Sequence, residues 1–342
     1  MSATAVVLFN LGAPDRPEAV RPFLGNLFSD PAIIAAPDWI RGSLARFIAW
    51  RRAGKARAVY DRLGGGSPLL ANTRRQAAAL EAALGSGFKV FVAMRYWHPR
   101  AVEVAREVKA MAPARVVLLP LYPQFSGTTS GSSLAEWRQA AAAAGIAAPS
   151  SFVCCYPEDR DWVAALAETI APLLDQAAKV GAARLLLSAH GLPRRVVERG
   201  DPYQFQVERT ARAVVAALGR KGLDWSVCYQ SRVGPLRWIE PYAEAELARA
   251  GRDRVPVVLA PIAFVSEHSE TLVELDRSYR DLALAAGVPL YLRAPAVAEA
   301  PTFIRALAGL VRAAVKREGV FCPSGRRLCP DDRAACALRS AA

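Results

Sequence analysis

Short apolar runs alternate along the chain with longer stretches that are rich in alanine and leucine. The runs contain many β-branched residues and are bounded by glycine or proline, which is typical of buried strands. Eight such runs occur, and they are Ala5–Asn10, Lys89–Met94, Arg115–Leu121, Ser151–Cys155, Arg184–Ala189, Ser226–Gln230, Arg254–Ala260 and Leu290–Arg293. Because helical stretches separate consecutive strands, the pattern predicts right-handed βαβ units and parallel sheets in an α/β protein.

Similar segments follow the first four strands and the last four. The first strand of each set leads into a turn with glycine and proline, at Asn10–Pro14 and at Ala189–Pro193. The third strand of each set leads into a second pair of similar segments, Pro120–Ser126 and Pro261–Ser266. The pattern predicts an internal duplication, with two doubly wound lobes that each hold a parallel four-stranded sheet. Ligands of such sheets bind at the carboxyl ends of the strands, so we expect the site there.

The chain is predicted to divide into two lobes and a tail. We place the N-terminal lobe at residues 1–156, the C-terminal lobe at residues 157–315 and a cysteine-containing extension at residues 316–342. The N-terminal lobe carries an insertion at about residues 21–62 that is apolar and interspersed with basic residues. Such a segment forms a lid, a membrane-surface patch or a dimer contact, or else a locally packed pair of helices. These alternatives stay open at this level.

The composition is that of an ordinary globular protein. The 342 residues are 53% hydrophobic and 22% charged, which excludes a disordered chain, a collagen and a coiled coil. The longest uncharged apolar run, Val255–Val265, is shorter than the ~18 residues that a bilayer span needs. The first residues lack the basic region of a signal peptide, so we expect a cytoplasmic protein.

Basic residues exceed acidic ones by 13, with 44 Lys and Arg against 31 Asp and Glu. This excess favours an anionic partner, such as nucleic acid, acidic lipid or a carboxylated small molecule. The basic residues are mostly single or paired and form no stripe, which disfavours nucleic acid. The first strand is also not followed by a glycine-rich dinucleotide loop. A lipid surface or a small carboxylate therefore accounts better for the charge.

Two groups of potential ligands follow predicted strands. His190 directly follows an apolar strand and precedes a glycine, so its imidazole lies at the ligand edge, where it can accept a proton or bind a metal. A second group follows the seventh strand, where Glu267, Glu270 and Glu274 fall on one face of a predicted helix, beside His268. Carboxylates and imidazoles are borderline ligands for Fe(II), so this group is a candidate path for a divalent cation. The simpler alternative is an acidic helix face that is exposed to solvent.

Three of the six cysteines, Cys322, Cys329 and Cys336, fall in the polar tail. A disulfide is disfavoured in a cytosolic chain, and such a tail offers no core in which to bury a thiol. Metal ligation is the remaining interpretation, and four thiolates are needed for a [2Fe–2S] cluster or a structural zinc. The fourth is expected from Cys154 or Cys155, one of which should face the tail because neighbours on a strand point to opposite faces. The choice of cysteine and of metal stays open.

Taken together, the motifs resemble the ferrochelatase family, whose members insert Fe(II) into a porphyrin. The resemblance runs from Val6 to about Arg317 and rests on eight segments in the family's order. They are Asn10–Pro14, Gly64–Pro68, Arg95–Pro99, Tyr122–Ser126, Thr129–Leu134, Ser188–Pro193, Tyr229–Pro235 and Glu267–Leu272. The resemblance implies two flavodoxin-like lobes with a porphyrin cleft between them, which agrees with the duplicated α/β fold predicted from the apolar runs.

The resemblance also implies roles for the residues that match the family's motifs. His190 matches the metal-side residue and proton acceptor, and Glu270 matches the residue that completes the site for the substrate Fe2+. An acidic path for metal or protons is implied for Glu267, His268 and Glu274. Contact with the macrocycle and its propionates is implied for Arg95, Tyr96, Ser130 and Trp238.

Substrates, cofactor and partners follow from the same resemblance. The insertion and Gly64–Pro68 resemble the branch that uses protoporphyrin IX; the alternatives are coproporphyrin III as substrate, or a non-catalytic porphyrin or haem carrier. Some ferrochelatases hold a [2Fe–2S] cluster with three cysteines of a C-terminal extension and one upstream, which this tail resembles, although its even spacing leaves zinc open. The expected partners are protoporphyrin IX and Fe2+, without nucleic acid. Peripheral contact with the inner face of the cell membrane and a homodimer are further expectations.

Overall fold

The eight predicted apolar runs form strands, and the central ones, such as β1 and β7, are buried along their whole length. In the computed structural model, which describes residues 3–339, they form two parallel sheets. The strands of the first lobe are β1 (Thr4–Asn10), β2 (Phe88–Met94), β3 (Arg115–Pro120) and β4 (Ser150–Val153). Those of the second lobe are β5 (Arg184–His190), β6 (Asp224–Gln230), β7 (Val257–Pro261) and β8 (Tyr291–Arg293).

The two lobes share one strand order. The first sheet contains the run β2-β1-β3-β4 and the second sheet is β6-β5-β7-β8, with the strands parallel. In both sheets the order reverses beside the first strand, which is the switch point of a doubly wound fold. The predicted fold class is therefore confirmed, and the shared order is what an internal duplication produces. The switch points lie beside the carboxyl ends of β1 and β5, at Asn10 and His190.

The tail adds a fifth strand to the first sheet, which was not predicted. β9 (Gly319–Phe321) pairs in parallel with β4, so that Ser151 lies opposite Gly319 and Val153 lies opposite Phe321. The order of the first sheet is therefore β2-β1-β3-β4-β9, and the predicted number of four strands is wrong for this lobe. A three-residue run is too short to show a strand pattern in the sequence, so only its pairing with the open edge of β4 defines it.

Helices cover the sheets, as crossovers between parallel strands require. They are α1 (Val20–Ser29), α2 (Asp38–Asp61), α3 (Leu69–Leu84), α4 (Ala101–Met111), α5 (Ser132–Ala143), α6 (Arg160–Ala178), α7 (Arg194–Glu198), α8 (Tyr203–Leu218), α9 (Ala243–Asp253), α10 (Tyr279–Ala285) and α11 (Pro301–Ala314). A 3₁₀ turn (Pro17–Ala19) precedes α1, and π-helices Gly127–Gly131 and Glu270–Ser278 precede α5 and α10. α11 packs against α3 and α6, so the chain returns to the first lobe before it enters β9.

One apolar core runs through both lobes. It includes Leu8 of β1, Leu187 of β5 and Trp162 of α6, all of them fully buried. α6 begins where the Asp159 carboxylate accepts hydrogen bonds from the backbone N–H groups of Asp161 and Trp162, which caps the helix. Because the two sheets pack on one core, the strand ends that carry the polar residues keep a fixed relation to each other.

The insertion between β1 and α3 forms a helical hairpin. α1 and α2 pack on each other and on Tyr96 and Trp97, in an apolar cluster separate from the main core. The hairpin ends at the glycine turn before α3, where Gly65 has a positive φ and a Cβ on Gly66 would lie 2.3 Å from the backbone oxygen of Asp15. These glycines are therefore required by backbone conformation and by close packing.

Candidate active site

His190 lies at the end of β5, at the predicted ligand edge. Its Nδ1 lies 2.6 Å from the backbone oxygen of Gly191, and because a carbonyl oxygen only accepts, the hydrogen of the neutral ring is on Nδ1. The Nε2 lone pair is therefore free, and Nε2 faces Oε1 of Glu270 at 3.6 Å. The imidazole is 33% exposed, so this nitrogen can accept a proton or a metal from a bound molecule.

Glu270 lies between two imidazoles. Its Oε1 faces His190, and its Oε2 lies 3.2 Å from Nε2 of His268. Burial acts to raise the pKa of Glu270, but the charge of His190 and the hydrogen bond and charge of His268 outweigh it and lower this pKa to about 2. Burial acts to lower the pKa of His268, but the interaction with Glu270 outweighs it and raises this pKa. The Glu270 carboxylate is therefore anionic at neutral pH.

Glu274 follows Glu270 on the same helix and is held by hydrogen bonds. Ser231, at the end of β6, donates to it from the backbone N–H at 2.9 Å and from the hydroxyl at 2.5 Å, and Tyr279 donates at 3.2 Å. Burial raises the pKa of Glu274, in contrast to that of Glu270. The two neighbouring carboxylates therefore differ in how readily they take up a proton, which suits different roles. Ser231 belongs to the segment Tyr229–Pro235, but the sequence analysis assigned it no role at the site.

The predicted row of three carboxylates on one helical face is only partly formed. Glu270–Ser278 is a π-helix, whose hydrogen bonds join residues i and i+5, so the spacing of an α-helix does not apply to it. Glu267 precedes this helix, and its carboxylate binds Arg293 at 2.6 Å and the backbone N–H of Ala296 at 2.9 Å. The residues that the structure does bring together are His190, His268, Glu270 and Glu274.

Trp238 lies beside His190, with ring centroids 6.2 Å apart. A Cβ on Gly191 would lie 3.1 Å from Cε3 of Trp238, so the glycine allows the indole to approach the strand end. Ser130 lies on the π-helix Gly127–Gly131, where its buried hydroxyl has no hydrogen-bond partner among the described residues. An unpaired buried hydroxyl is costly unless a bound molecule or water satisfies it.

Arg95 and Tyr96 bind a buried carboxylate that the sequence analysis missed. Oδ2 of Asp30 accepts hydrogen bonds from Nη2 of Arg95 at 2.8 Å and from the Tyr96 hydroxyl at 2.7 Å. Tyr96 is fully buried, whereas its predicted role is contact with a porphyrin. Arg95 also lies 3.3 Å from Glu136. An isolated acid in a turn carries no motif, so no signal in the sequence singled out Asp30.

The cysteines of the tail meet those that follow β4. The Sγ atoms of Cys154, Cys155 and Cys322 all lie within 4.8 Å of one another, and the three residues are buried. β4 ends at Val153, so the alternation of a strand does not apply to the two cysteines after it, and both of them reach this group. The expectation that only one of them faces the tail is therefore wrong.

Cys329 and Cys336, the other two cysteines of the tail, are also buried. The interaction between these two thiols raises the pKa of Cys329 and lowers that of Cys336 to about 6. The hydrogen bond with Cys155 acts to lower the pKa of Cys154, but the interaction with Cys322 and burial outweigh it and raise this pKa. Buried thiols that approach each other in this way form a donor set for a soft metal, and they fit a cluster or a zinc ion.

The arrangement of two α/β lobes of one strand order occurs in proteins of known structure. Solved chelatases share the fold. The sirohydrochlorin chelatase SirB of Bacillus subtilis subspecies spizizenii, in complex with cobalt, has a TM-score of 0.55 and 13% identity, and the match covers 95% of this chain and 98% of that one. SirB from Bacillus subtilis with Fe3+ has a TM-score of 0.51 and 13% identity, over 91% and 95%. At these identities the likeness shows the fold alone.

The sequence specifies the family within that class. The ferrochelatase family profile matches residues 3–315. A ferrochelatase of Caulobacter vibrioides is 52% identical, over 99% of this chain and 98% of that protein, and one of Phenylobacterium zucineum is 51% identical, over 98% of each. The chain belongs to the ferrochelatase family and is an enzyme that inserts a metal ion into a porphyrin.

The cysteine-containing tail lies outside the family profile, although the alignment with the Caulobacter protein covers 99% of this chain. The family profile ends at residue 315, before Cys322, Cys329 and Cys336. A Wolbachia ferrochelatase, 48% identical, aligns over 98% of its own length but over only 90% of this chain. The buried thiols therefore combine residues within the family profile with residues that follow it.

Proposed function

We propose that this chain inserts Fe2+ into protoporphyrin IX to form protohaem, with His190 as the base. A free porphyrin carries two N–H protons inside a rigid ring, and both must leave when the metal enters. The observation that carries the proposal is the free Nε2 of His190, fixed by the bond from Nδ1 to Gly191 and facing Glu270 at 3.6 Å. A site complementary to a bent macrocycle would favour the distorted ring in which a pyrrole nitrogen points outward.

Glu270 supports this base electrostatically. As the imidazole accepts a proton it becomes cationic, and the anionic Glu270 stabilises that charge where it develops. The same carboxylate attracts the substrate Fe2+. His268 and Glu274 adjoin Glu270 and serve as a path for metal or protons, together with Glu267, whose carboxylate binds Arg293.

His190→Ala tests the base. We expect no turnover, measured as iron-dependent loss of porphyrin fluorescence, and retained binding in a porphyrin titration. His98→Ala is the matched control, because His98 is a 60% exposed histidine whose partner is Glu103, outside the site. Turnover near the wild-type rate in His190→Ala would contradict the assignment. Wild-type protein that binds porphyrin but shows no iron-dependent loss would instead be a carrier.

Protoporphyrin IX is the proposed substrate because the helical hairpin exposes aromatic side chains among its basic residues. Trp39 is 83% exposed, Phe47 57% and Trp50 60%, all on α2. Three exposed aromatic side chains on one helix are unusual on a water-facing surface and suit a flat apolar ligand or a membrane. A comparison of kcat/KM for protoporphyrin IX and coproporphyrin III tests the choice, and a preference for the second would reassign the substrate.

We infer from the same surface that the protein is cytoplasmic and binds the inner face of the cell membrane peripherally. Within residues 3–339, no helix is long and apolar enough to cross a membrane. The double variant Trp39→Ser, Phe47→Ser should lose binding to anionic vesicles and raise KM for protoporphyrin, whereas Leu284→Ser, 49% exposed on α10, should not. The alternative is that the exposed aromatic residues of α2 form a homodimer contact. Loss of a dimer in sedimentation of the double variant, with unchanged vesicle binding, would favour this alternative.

The tail thiols are proposed to hold a [2Fe–2S] cluster. Cys322, Cys329 and Cys336 supply three ligands, and the fourth is Cys154 or Cys155, whose Sγ atoms both lie within 4.8 Å of that of Cys322. Such a cluster would fix the tail to the first lobe and contribute stability.

Metal analysis of protein purified without oxygen tests the cluster. We expect about two non-haem irons per chain, and loss of the visible absorbance in Cys329→Ser but not in Cys228→Ser, which alters the buried cysteine of β6. Cys154→Ser and Cys155→Ser, measured side by side, decide the fourth ligand. Bound zinc, or full activity without metal, would remove the cluster.

A further inference from the structure

We propose that Asp30 is a positioning residue that holds the helical hairpin on the porphyrin side of the site. Asp30 directly follows α1 in the hairpin. Its Oδ2 accepts hydrogen bonds from Arg95 and Tyr96, which follow β2, and from the hydroxyl of Ser132, which begins α5. One carboxylate therefore joins the hairpin to two walls of the first lobe. The inference rests on the proposed porphyrin contacts of these walls.

Both oxygens of Asp30 are in use. Oδ1 accepts the backbone N–H of Ala32 at 2.8 Å, and Oδ2 accepts the three side-chain donors. Only a carboxylate offers an acceptor at both positions, since an asparagine turns one of them into a donor. Asp30→Asn would therefore set an N–H group against a donor whichever way the amide points. The side chain is 3% exposed, so water cannot relieve the conflict without opening the contact.

The charged groups around Arg95 also support a positioning role for Asp30. Two guanidinium groups, Arg95 and Arg100, face two carboxylates, Asp30 and Glu136, so the network is balanced. The Arg95 side chain is 13% exposed, and its Nε also donates to Ser132 at 2.6 Å. Arg95 therefore keeps its position because Asp30 and Glu136 bind it from two elements. Without Asp30, the remaining carboxylate near Arg95 is that of Glu136, which already binds Arg100.

The hairpin depends on the Asp30 contact because, among the described residues, one further side-chain hydrogen bond joins it to the segment of Arg95 and Tyr96. Asn26 of α1 donates to the backbone oxygen of Tyr96 at 3.0 Å. The apolar cluster of the hairpin then packs on Tyr96 and Trp97, so the orientation of Tyr96 sets that of α1. Loss of the Asp30 anchor should loosen α1 before it affects the main core.

Asp30→Asn is compared with Asp38→Asn, which removes a 91% exposed carboxylate from the same hairpin. We expect a tenfold higher KM for protoporphyrin in Asp30→Asn, about 1.4 kcal/mol, with kcat within twofold. Amide hydrogen exchange of residues 20–36, measured without substrate, should become faster, and neither quantity should change in Asp38→Asn. Tyr96→Phe removes one donor and should give smaller changes in the same direction.

Unchanged KM and exchange in Asp30→Asn would overturn the proposal, as would a loss of kcat and thermal stability at constant KM. If Asp30→Asn does not fold, Tyr96→Phe decides by the same two measurements. If the wild-type protein uses coproporphyrin III instead, only the proposed substrate is refuted. The role of Asp30 is then still tested, because KM can be measured with coproporphyrin III and the exchange experiment requires no porphyrin.

Discussion

The substitution Glu270→Gln separates the charge of this residue from its shape. Gln keeps the length of the side chain and one oxygen, but it removes the negative charge that faces Nε2 of His190 at 3.6 Å. The amide can also turn its N–H group toward Nε2 and bind the lone pair that accepts the proton. Both changes disfavour the protonated imidazole that forms as the porphyrin loses its protons, so we expect kcat to fall.

The size of the effect follows from the distance. Two unit charges 3.6 Å apart interact by about 4–5 kcal/mol at an effective dielectric constant of about 20. The His190 side chain is 33% exposed and that of Glu270 is 30% exposed, so solvent screens part of this energy. We take half, about 2 kcal/mol, which corresponds to a roughly thirtyfold lower kcat. KM for the porphyrin should stay within about twofold, because the charge matters mainly in the transition state.

The assay is iron-dependent loss of porphyrin fluorescence, fitted for kcat and KM at neutral pH. Glu198→Gln is the matched control, since Glu198 is 60% exposed at the end of α7 and, among residues 3–339, pairs only with the exposed Arg194. An unchanged kcat in Glu270→Gln would refute the electrostatic role. A raised KM with normal kcat would instead assign Glu270 to porphyrin positioning.

Three further predictions concern stability and packing. Because folding lowers the pKa of Glu270 from 4.5 to about 2, its carboxylate stabilises the fold above pH 4.5 and loses this effect toward pH 2. Between these pH values the urea midpoint of the wild-type protein should therefore fall more steeply than that of Glu270→Gln, and equal slopes would contradict this. Truncation after Lys316 removes β9 and should lower the urea midpoint and increase light scattering, unless β4 tolerates an open edge. Gly191→Ser should cost about 1 kcal/mol of stability and shift Trp238 emission; an unchanged spectrum would mean that the Gly191 contact is unimportant.

The strands were predictable because each carries its own signal. An apolar run such as Val257–Pro261 indicates a buried strand by its own composition, without information about the strands beside it. The strand ends then follow from topology, which correctly brought His190 and Glu270 to one edge. β9 had no such signal, since its three residues become a strand only by pairing with β4.

The remaining differences at the site arise from local geometry and from distant contacts. The π-helix changes which carboxylates share a face, and nothing in Glu270–Ser278 distinguishes it from an α-helix by pattern. The end of β4 at Val153, rather than two residues later, decides how Cys154 and Cys155 point. Asp30 gains its importance only because Arg95, 65 residues later, folds onto it.

The pairing of β9 with β4 also sets an order of events during protein synthesis. Gly319 follows Val153 by 166 residues (319 − 153), so the ribosome makes the entire second lobe before the first sheet can be completed. At about 5–20 residues per second, the growing chain spends roughly 8–33 s with the edge of β4 open. During that interval Cys154 and Cys155 lack their tail partners, and the nascent first lobe presents both a free strand edge and two free thiols to chaperones and to other chains.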